Sequence, residues 1–596
     1  MKKCLLLVFA LICLLIPNYC NATHAFGAEI SYKHIKDSKY QISIKVYRDC
    51  TGINLGGIAA TVVAGTNTQT ISFTKVGIKD VTPICKTYVS ACKNQQSGLG
   101  IGVEEHLYID TIDFSIAPYS TWKNNGACEF RIIWQQCCRN LEITNINGGN
   151  MYAETMINLC NIEKLTKKQN SSPTFTSDLT HYLCCNNPAY YNTSGVDSMD
   201  NDSIVYSLAA PMESPISSLA FKKSFSIENP TTAKCKNPKD VNCKAFPNTY
   251  PPLGFYLDPV KGDIIFTPSK CDEVAIVAIE ANEYRKDTNG NYVHIGRTTR
   301  DLQFVTMNCA SNHPPEIIAK KFDYTICEGD KITINMEGTD KPYSNSKKDT
   351  VTLSWDGALA SNGTFTVSND TNNREKKGVF EWQTKEGDAN GLPYIFSVKA
   401  EDHACPLKSI TSRAFSIKVV KKPQVLSKSI IPICDRLKVD VNVKQFYPGT
   451  ISYKWELFDS ATPTILLDRK TNKKDSFKIT KASTYLVKLS INSYDNCSQI
   501  FWDTIKVTPV YNPLELGNDT TLSLIDSFIL KAGANNKAYL WSNNSTDSNL
   551  VIRPIDLGSG TYNYKVEVTN NVGCKYYDSI KITIDPCKNN IAPIAT

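Results

Sequence analysis

The sequence predicts an all-β protein made of tandem β-sandwich domains stapled by disulfides. Three observations carry that expectation: apolar and polar residues alternate with period two, clusters of Gly, Asn, Asp and Pro break the runs roughly every ten residues, and no long stretch shows helical period. In KYQISIKVY, Tyr40, Ile42, Ile44 and Val46 share one face while Gln41, Ser43 and Lys45 share the other. STYLVKLSIN repeats the pattern with Tyr485, Val487, Leu489 and Ile491. TYNYKVEVTN does so with Tyr562, Tyr564, Val566 and Val568. Many short strands separated by turns are the signature of sandwiches in a row.

The N-terminus reads as a secretory leader. MKKCLLLVFALICLLIPNYCNA has Lys2 and Lys3, an apolar run from Leu5 to Ile16, then Pro17 and the small residue Ala22. That order marks a signal peptide over 1–22, and the run is too short to span a membrane. A lipid anchor on Cys20 is the alternative, with Tyr19 and Pro17 as poor neighbours for it. No other segment approaches ~18 uninterrupted apolar residues, so no membrane span is expected in the mature chain.

Export puts the chain where disulfides persist, so its cysteines read as crosslinks. Of 22 cysteines, Cys4, Cys13 and Cys20 fall in the leader, which leaves an odd number and at least one thiol without an intramolecular partner. Adjacent cysteines bond each other only through a strained ring. Cys137 and Cys138 are therefore expected to reach different partners, as are Cys184 and Cys185. Zinc would need close pairs such as a doubled C-x2-C; the spacings at Cys85–Cys92 and Cys235–Cys243 are wider, with no histidine pair nearby. A thioredoxin-type C-x-x-C is absent.

Punctuation divides the rest into a Cys-rich β domain over 23–185, β-sandwiches over 186–312, 313–422, 423–511 and 512–587, and a tail over 588–596. The third and fourth units each hold one cysteine near the first strand and one near the last, with tryptophans between: Trp355 and Trp382 in one, Trp455 in the other. This plan predicts Cys327–Cys405 and Cys434–Cys497, each worth roughly 3–5 kcal/mol through the unfolded chain. A net charge of +7 over 596 residues, with no basic block interleaved with aromatics, argues against a nucleic-acid partner.

Several stretches resemble large secreted proteins of the Bacteroidota, those associated with gliding motility. They are ATHAFGAEISYKHIKDSKYQISIKVYRDC at the mature start, FRIIWQQCCRNLEITNI (130–146), DNDSIVYSLAAP (200–211) and PPLGFYLDPVKGDIIFTPSKCDEVAIVAIEANEYR (251–285). The last two look like a cadherin-type repeat, and the C-terminal region from LGNDTTLSL is similar to PKD/Ig-like repeats. In such repeats a cysteine follows the GNDTTL stretch and pairs with the one in the later GC. Here Ser523 stands there, leaving two arrangements: a Cys574–Cys587 bridge, or both thiols free. Relatives of this kind commonly continue into a type IX sorting domain, which is absent after DPCKNNIAPIAT. The resemblance thus implies a cell-surface or extracellular location, or a periplasmic one if that domain is required.

No catalytic residue stands out. The seven histidines fall in no H-E-x-x-H, G-x-S-x-G or papain-like setting, and Glu104–Glu105–His106 reads as a strand edge. Calcium is the better chemistry. GVDSMDNDS offers Asp197, Asp200 and Asp202 within six residues, and hard oxygens are what Ca2+ takes. EGDANG with Glu386 and Asp388, and AEDHACP with Glu401 and Asp402, make a second candidate set. The alternative is that these acids bond their own backbone in turns. Adjacent tyrosines at Tyr190–Tyr191 and Tyr576–Tyr577 offer rings for stacking on sugars, although strand neighbours point opposite ways.

These features favour an exported, non-enzymatic cell-envelope protein with an adhesin-like or structural role. Its partners would be surface glycans or other cell-surface proteins. A carbohydrate-binding accessory protein for polysaccharide capture is the second reading, and a hydrolase with its catalytic unit in 23–185 the third.

Overall fold

The computed structural model describes residues 25–588, apart from 53, 95–99, 141, 194, 198, 201, 238–242, 310–311, 341–349, 358–362, 369–374, 447–448, 494–496 and 508–513. The expected leader and nearly all of the tail lie outside the described residues. Almost all regular structure is β. The described helices are short: Tyr119–Asn124, Leu159–Lys164 and Pro554–Leu557. No described helix is long and apolar enough to cross a membrane. The chain falls into two compact units, 1–419 and 420–596.

In the first unit one large sheet runs through most of residues 25–307. Its order is Ala25–Lys36, Lys39–Asp49, Val103–Asp113, Asn67–Asp80, Ile58–Ala64, Glu129–Gln136, Met151–Asn158, Tyr292–Met307, Glu273–Lys286 and Ser203–Ala209. Thr180–Cys184 joins Tyr292–Met307 as a parallel neighbour. The alternation seen in KYQISIKVY holds: Tyr40, Ile42, Ile44 and Val46 are buried in the core of this sheet. The expected boundary at 185/186 falls inside the sheet. The strand Tyr292–Met307 is sixteen residues long, enough to pair with Glu273–Lys286 along its length and also with Met151–Asn158 and Thr180–Cys184. Strands from both expected domains therefore share one ladder. Glu104, Glu105 and His106, read as a strand edge, stand at the start of the strand Val103–Asp113, which lies between Lys39–Asp49 and Asn67–Asp80.

Residues 316–420 form a sandwich with its own core. One sheet holds Glu316–Ala319, Lys331–Thr339, Glu375–Gln383 and Thr364–Val367; the other holds Asp323–Cys327, Ile410–Val420, Pro393–Glu401 and Thr352–Trp355. Trp382, Phe380, Phe396 and Phe415 fill the space between, with Phe380 and Phe396 stacked at 4.3 Å. The second unit holds two further cores. One lies between Gln424–Ile433, Arg436–Lys444 and Lys474–Lys478 and a sheet ordered Thr462–Lys470, Ser452–Asp459, Ser483–Asn492, Ser498–Val507, around the buried Trp455. The other surrounds Trp541 and packs Gly560–Thr569 and Lys575–Ile584 over Phe528–Lys531 and Asn549–Ile552.

The disulfides correct several expectations. Cys405 bonds Cys85, 320 residues away, and Cys434 bonds Cys574. The predicted Cys327–Cys405 and Cys434–Cys497 bridges are therefore not formed; Cys327 and Cys497 are oxidised as well. The physical reason is that these two staples join modules, where no continuous core exists, instead of closing single sandwiches that already have one. Cys574 accordingly does not pair with Cys587, which is a free, exposed thiol. Cys184 and Cys185 reach Cys309 and Cys271, as strand neighbours pointing opposite ways should. Cys137 and Cys138 do not separate: they bond each other across a cis peptide. Cys50–Cys92, Cys128–Cys160 and Cys235–Cys243 complete the described set.

A candidate metal centre

Asp197, Asp200 and Asp202 do come together, with a carboxylate oxygen from each within 4.8 Å of the others. The local chain accounts for this. Asp197 folds the turn that follows by accepting the backbone N–H groups of Asp200 at 3.1 Å and Asp202 at 2.7 Å. The turn leads into the strand Ser203–Ala209, whose register sets Ser203 opposite Tyr284 and Ile204 opposite Glu283. One step further along the same ladder, Asp202 faces Arg285. The guanidinium donates from Nε to Asp202 Oδ1 at 2.6 Å and from Nη2 to Oδ2. Arg285 also donates to the carbonyls of Lys167 and Gln169 and to Asn170 Oδ1. Lys167 pairs with Asp200. The segment 167–171 is thereby tied down over the cluster.

A fourth carboxyl was missed in the sequence. Glu283 is completely buried, yet lies on the same phase of its strand as Val277, Ile279 and Ala281. An acid at a core-facing position of EVAIVAIEANEYRK was the available signal. The Tyr32 hydroxyl donates to its Oε2 at 3.2 Å, whereas Oε1 has no donor at hydrogen-bond geometry. Gly296 makes the room, since a Cβ there would stand 2.0 Å from Oε2. Burial, with Asp197 and Asp202 nearby, raises the Glu283 carboxyl well above the usual range. Burial likewise pushes Asp197 up to about 7, with Asp202 and Asp200 adding to the shift.

Four carboxyls here face two cations, Arg285 and Lys167. The donor set is all oxygen, and Glu283 Oε1 beside it has no donor at hydrogen-bond geometry. The residues fit Ca2+, which takes six to eight oxygens from carboxylates, carbonyls and water. Asp197, Asp200 and Asp202, the set read from the sequence, would hold it.

The second acidic set is not brought together. Asp388 precedes the strand Pro393–Glu401, where the Tyr394 hydroxyl donates to its carbonyl, and Asp402 follows the far end of that strand. Nine extended residues separate the two by roughly 30 Å. Asp402 is buried and organises a turn, accepting from the N–H groups of Ala404 and Ser409 and from the Asn312 amide. Asp388 accepts from the Lys385 N–H at 2.7 Å, and Glu386 is exposed. Glu401 bonds Lys399 and Lys408. These acids do the backbone and surface work that turn chemistry alone would assign them.

Other chemistry-bearing groups are committed internally. Glu104 pairs with Arg48 and with the buried His106 at 3.0 Å. It also lies beside Cys50 and Cys92, whose disulfide removes both as metal ligands. Tyr191 is buried, and Tyr190 lies under the Arg413 guanidinium. Tyr577 is exposed, with Lys565 over its ring.

No family model matches this chain, and no curated protein matches its sequence. Solved structures are similar at low identity. Domains A168–A170 of titin share 10% identity over 56% of this chain and 98% of theirs, with a TM-score of 0.22. The human desmocollin-1 ectodomain shares 12% over 90% and 94%, with a TM-score of 0.14. The sialic acid binding region of a Streptococcus sanguinis adhesin shares 15% over 48% and 80%, with a TM-score of 0.19. TM-scores this low carry no argument about this chain, whose fold rests on its own strands and cores.

Proposed function

We propose that this chain is an exported, non-enzymatic protein of the cell envelope with an adhesin-like or structural role. Disulfides, and Ca2+ at the Asp197 cluster, would hold its modules in place. The carrying observation is the disulfide network: cysteines far apart in sequence are oxidised in pairs, two of which join modules, an arrangement suited to an oxidising compartment outside the cytoplasm. The buried acids and bases support the non-enzymatic reading, being spent on internal pairs such as Arg139–Asp301 and Arg300–Glu29. The resemblance to secreted proteins of the Bacteroidota points to the same compartment.

Fractionation of expressing cells, combined with protease shaving of intact cells, tests the location. Loss of the chain on shaving supports surface display. Full protection in the periplasm would sink the adhesin-like role, and retention in the cytoplasm with reduced cysteines would sink export itself.

A further inference from the structure

The outer face of the sheet Thr462–Lys470, Ser452–Asp459, Ser483–Asn492, Ser498–Val507 breaks the rule that solvent faces are polar. The ladder registers set its outward side chains in two rows across the strands. One row reads Leu466, Phe458, Leu486 and Thr504, from the pairs Phe458↔Leu466, Phe458↔Leu486 and Leu486↔Thr504. The next reads Arg469, Glu456, Lys488 and Trp502, from Glu456↔Arg469, Glu456↔Lys488 and Lys488↔Trp502. Trp502 is 53% exposed and Leu466 40%. The Trp502 ring reaches across the intervening strand to Phe458, their centroids 5.6 Å apart.

The charged row is unbalanced. Glu456 is matched by Lys454 at 3.3 Å, Arg469 at 3.0 Å and Lys488 at 3.7 Å, so one carboxylate meets three cations. Lys488 also sits over the Trp502 ring at 5.3 Å. An aromatic and aliphatic row thus runs beside a row with surplus positive charge.

We propose that this face binds an acidic polysaccharide, with uronate units as the recognised chemistry. A pyranose ring offers an apolar C–H face to stack on Trp502 and Phe458, and the strand spacing of roughly 4.8 Å matches one sugar unit per strand. A chain laid between the two rows, against Phe458 and Trp502, places its carboxylates beside Arg469 and Lys488, with Lys454 reaching into the charged row to meet Glu456. The planar fork of Arg469 suits a carboxylate. A protein partner fits less well, because a stable contact buries roughly 800 Å2 on each side around an uncharged centre. Here the apolar row is one side chain wide and charge lies directly against it. The proposal goes beyond an adhesin-like role in general by naming a ligand class. It is tested on purified protein, so misplacement in the cell would leave it standing.

Calorimetric titration of the full mature chain with polygalacturonate oligomers is the test, with the methyl-esterified oligomers as the uncharged control. Binding should weaken by about tenfold or more with the ester, with Trp502→Ala, and with Arg469→Gln combined with Lys454→Gln. These side chains lie on the surface, and unchanged melting would show that the variants fold. Trp502→Tyr, which keeps a ring, should retain most of the affinity and covers the case in which the alanine variant does not fold. Equal binding of the ester, full affinity in the Trp502→Ala or the Arg469→Gln/Lys454→Gln protein, or no binding of either oligomer overturns the proposal.

Discussion

Arg300 of the strand Tyr292–Met307 and Glu29 of the strand Ala25–Lys36 form a buried ion pair, Nη2 to Oε2 2.8 Å and Nε to Oε2 2.9 Å. The guanidinium also donates to the carbonyls of Ser177 and Thr193 and lies 4.2 Å from the centre of the Phe175 ring. Glu29 additionally meets Lys45 at 3.1 Å. One residue on, Asp301 accepts from the equally buried Arg139. Consecutive residues of one strand thus anchor two separate parts of the chain.

Breaking such a pair from one side leaves a buried charge alone, which costs about 3–5 kcal/mol. Glu29→Gln is expected to destabilise the first unit by that order. The double variant Glu29→Gln/Arg300→Met should lose less than the sum of its single changes. Urea unfolding of the four proteins gives the coupling; strict additivity would show that the pair holds nothing.

Cys85–Cys405 joins the large sheet to the sandwich over 316–420. Replacing both by Ser is expected to cost roughly 2–5 kcal/mol, because the unfolded chain regains a long open loop. Non-reducing peptide mapping should recover Cys85 with Cys405 and Cys434 with Cys574. Alkylation of the unreduced protein should mark Cys587 among the described cysteines. A Cys327–Cys405 or Cys574–Cys587 peptide would refute the pairing.

His181 provides the pH prediction. Burial pushes its imidazole down to about 4, with Lys399 adding to the shift and the bond to the Ile410 carbonyl opposing it. In the unfolded chain the ring titrates near 6.5. Between these values the unfolded chain takes up a proton that the folded chain refuses. The contribution from neutral His181 is therefore whole above pH ~6.5 and is lost as the pH falls toward ~4, by up to roughly 3 kcal/mol. Asp263, raised by burial to about 6, works in the opposite sense, so the comparison must be with a variant. The stability of wild type minus His181→Gln should shrink as pH drops from ~6.5 to ~4. A difference independent of pH would contradict the assignment.

Ca2+ at the Asp197 cluster should stabilise the first unit. With free ion about a hundredfold above its dissociation constant, the gain is about 2.7 kcal/mol. Melting in millimolar Ca2+ against a chelator should show the difference, and both Asp197→Asn and Asp202→Asn should remove it. Magnesium, with its tighter octahedral demand, should substitute poorly. Identical melting with ion and chelator would exclude the site.

Legibility followed sequence distance. The acids at 197–202 could be read together because a single turn gathers them, and Asp197 binds that turn itself. Glu283, Arg285 and Tyr32 entered the cluster only through strand pairing and packing over up to 251 residues. Asp388 and Asp402 looked related because only fourteen residues separate them, but an extended strand lies between and sets them at its opposite ends. The Trp502 face was hidden for a related reason. SQIFWDTIKV reads as one more alternating strand, and only registers with three other strands show its outward residues beside Phe458 and Leu466.

By itself the sequence determined the class of the fold and the buried faces of strands such as Lys39–Asp49, Ser483–Asn492 and Gly560–Thr569. Period-two burial is a property of a single strand and needs no knowledge of its neighbours. It also led to the expectation that the cysteines act as a framework, from their number and the leader-like N-terminal pattern. The tertiary structure alone decided which cysteines meet, where one module ends and the next begins, and which charges are neutralised in the core. Those outcomes depend on pairing between segments hundreds of residues apart, as Cys85 with Cys405 and Glu29 with Arg300. Such pairing is set by the packing of whole sheets, which no local pattern encodes.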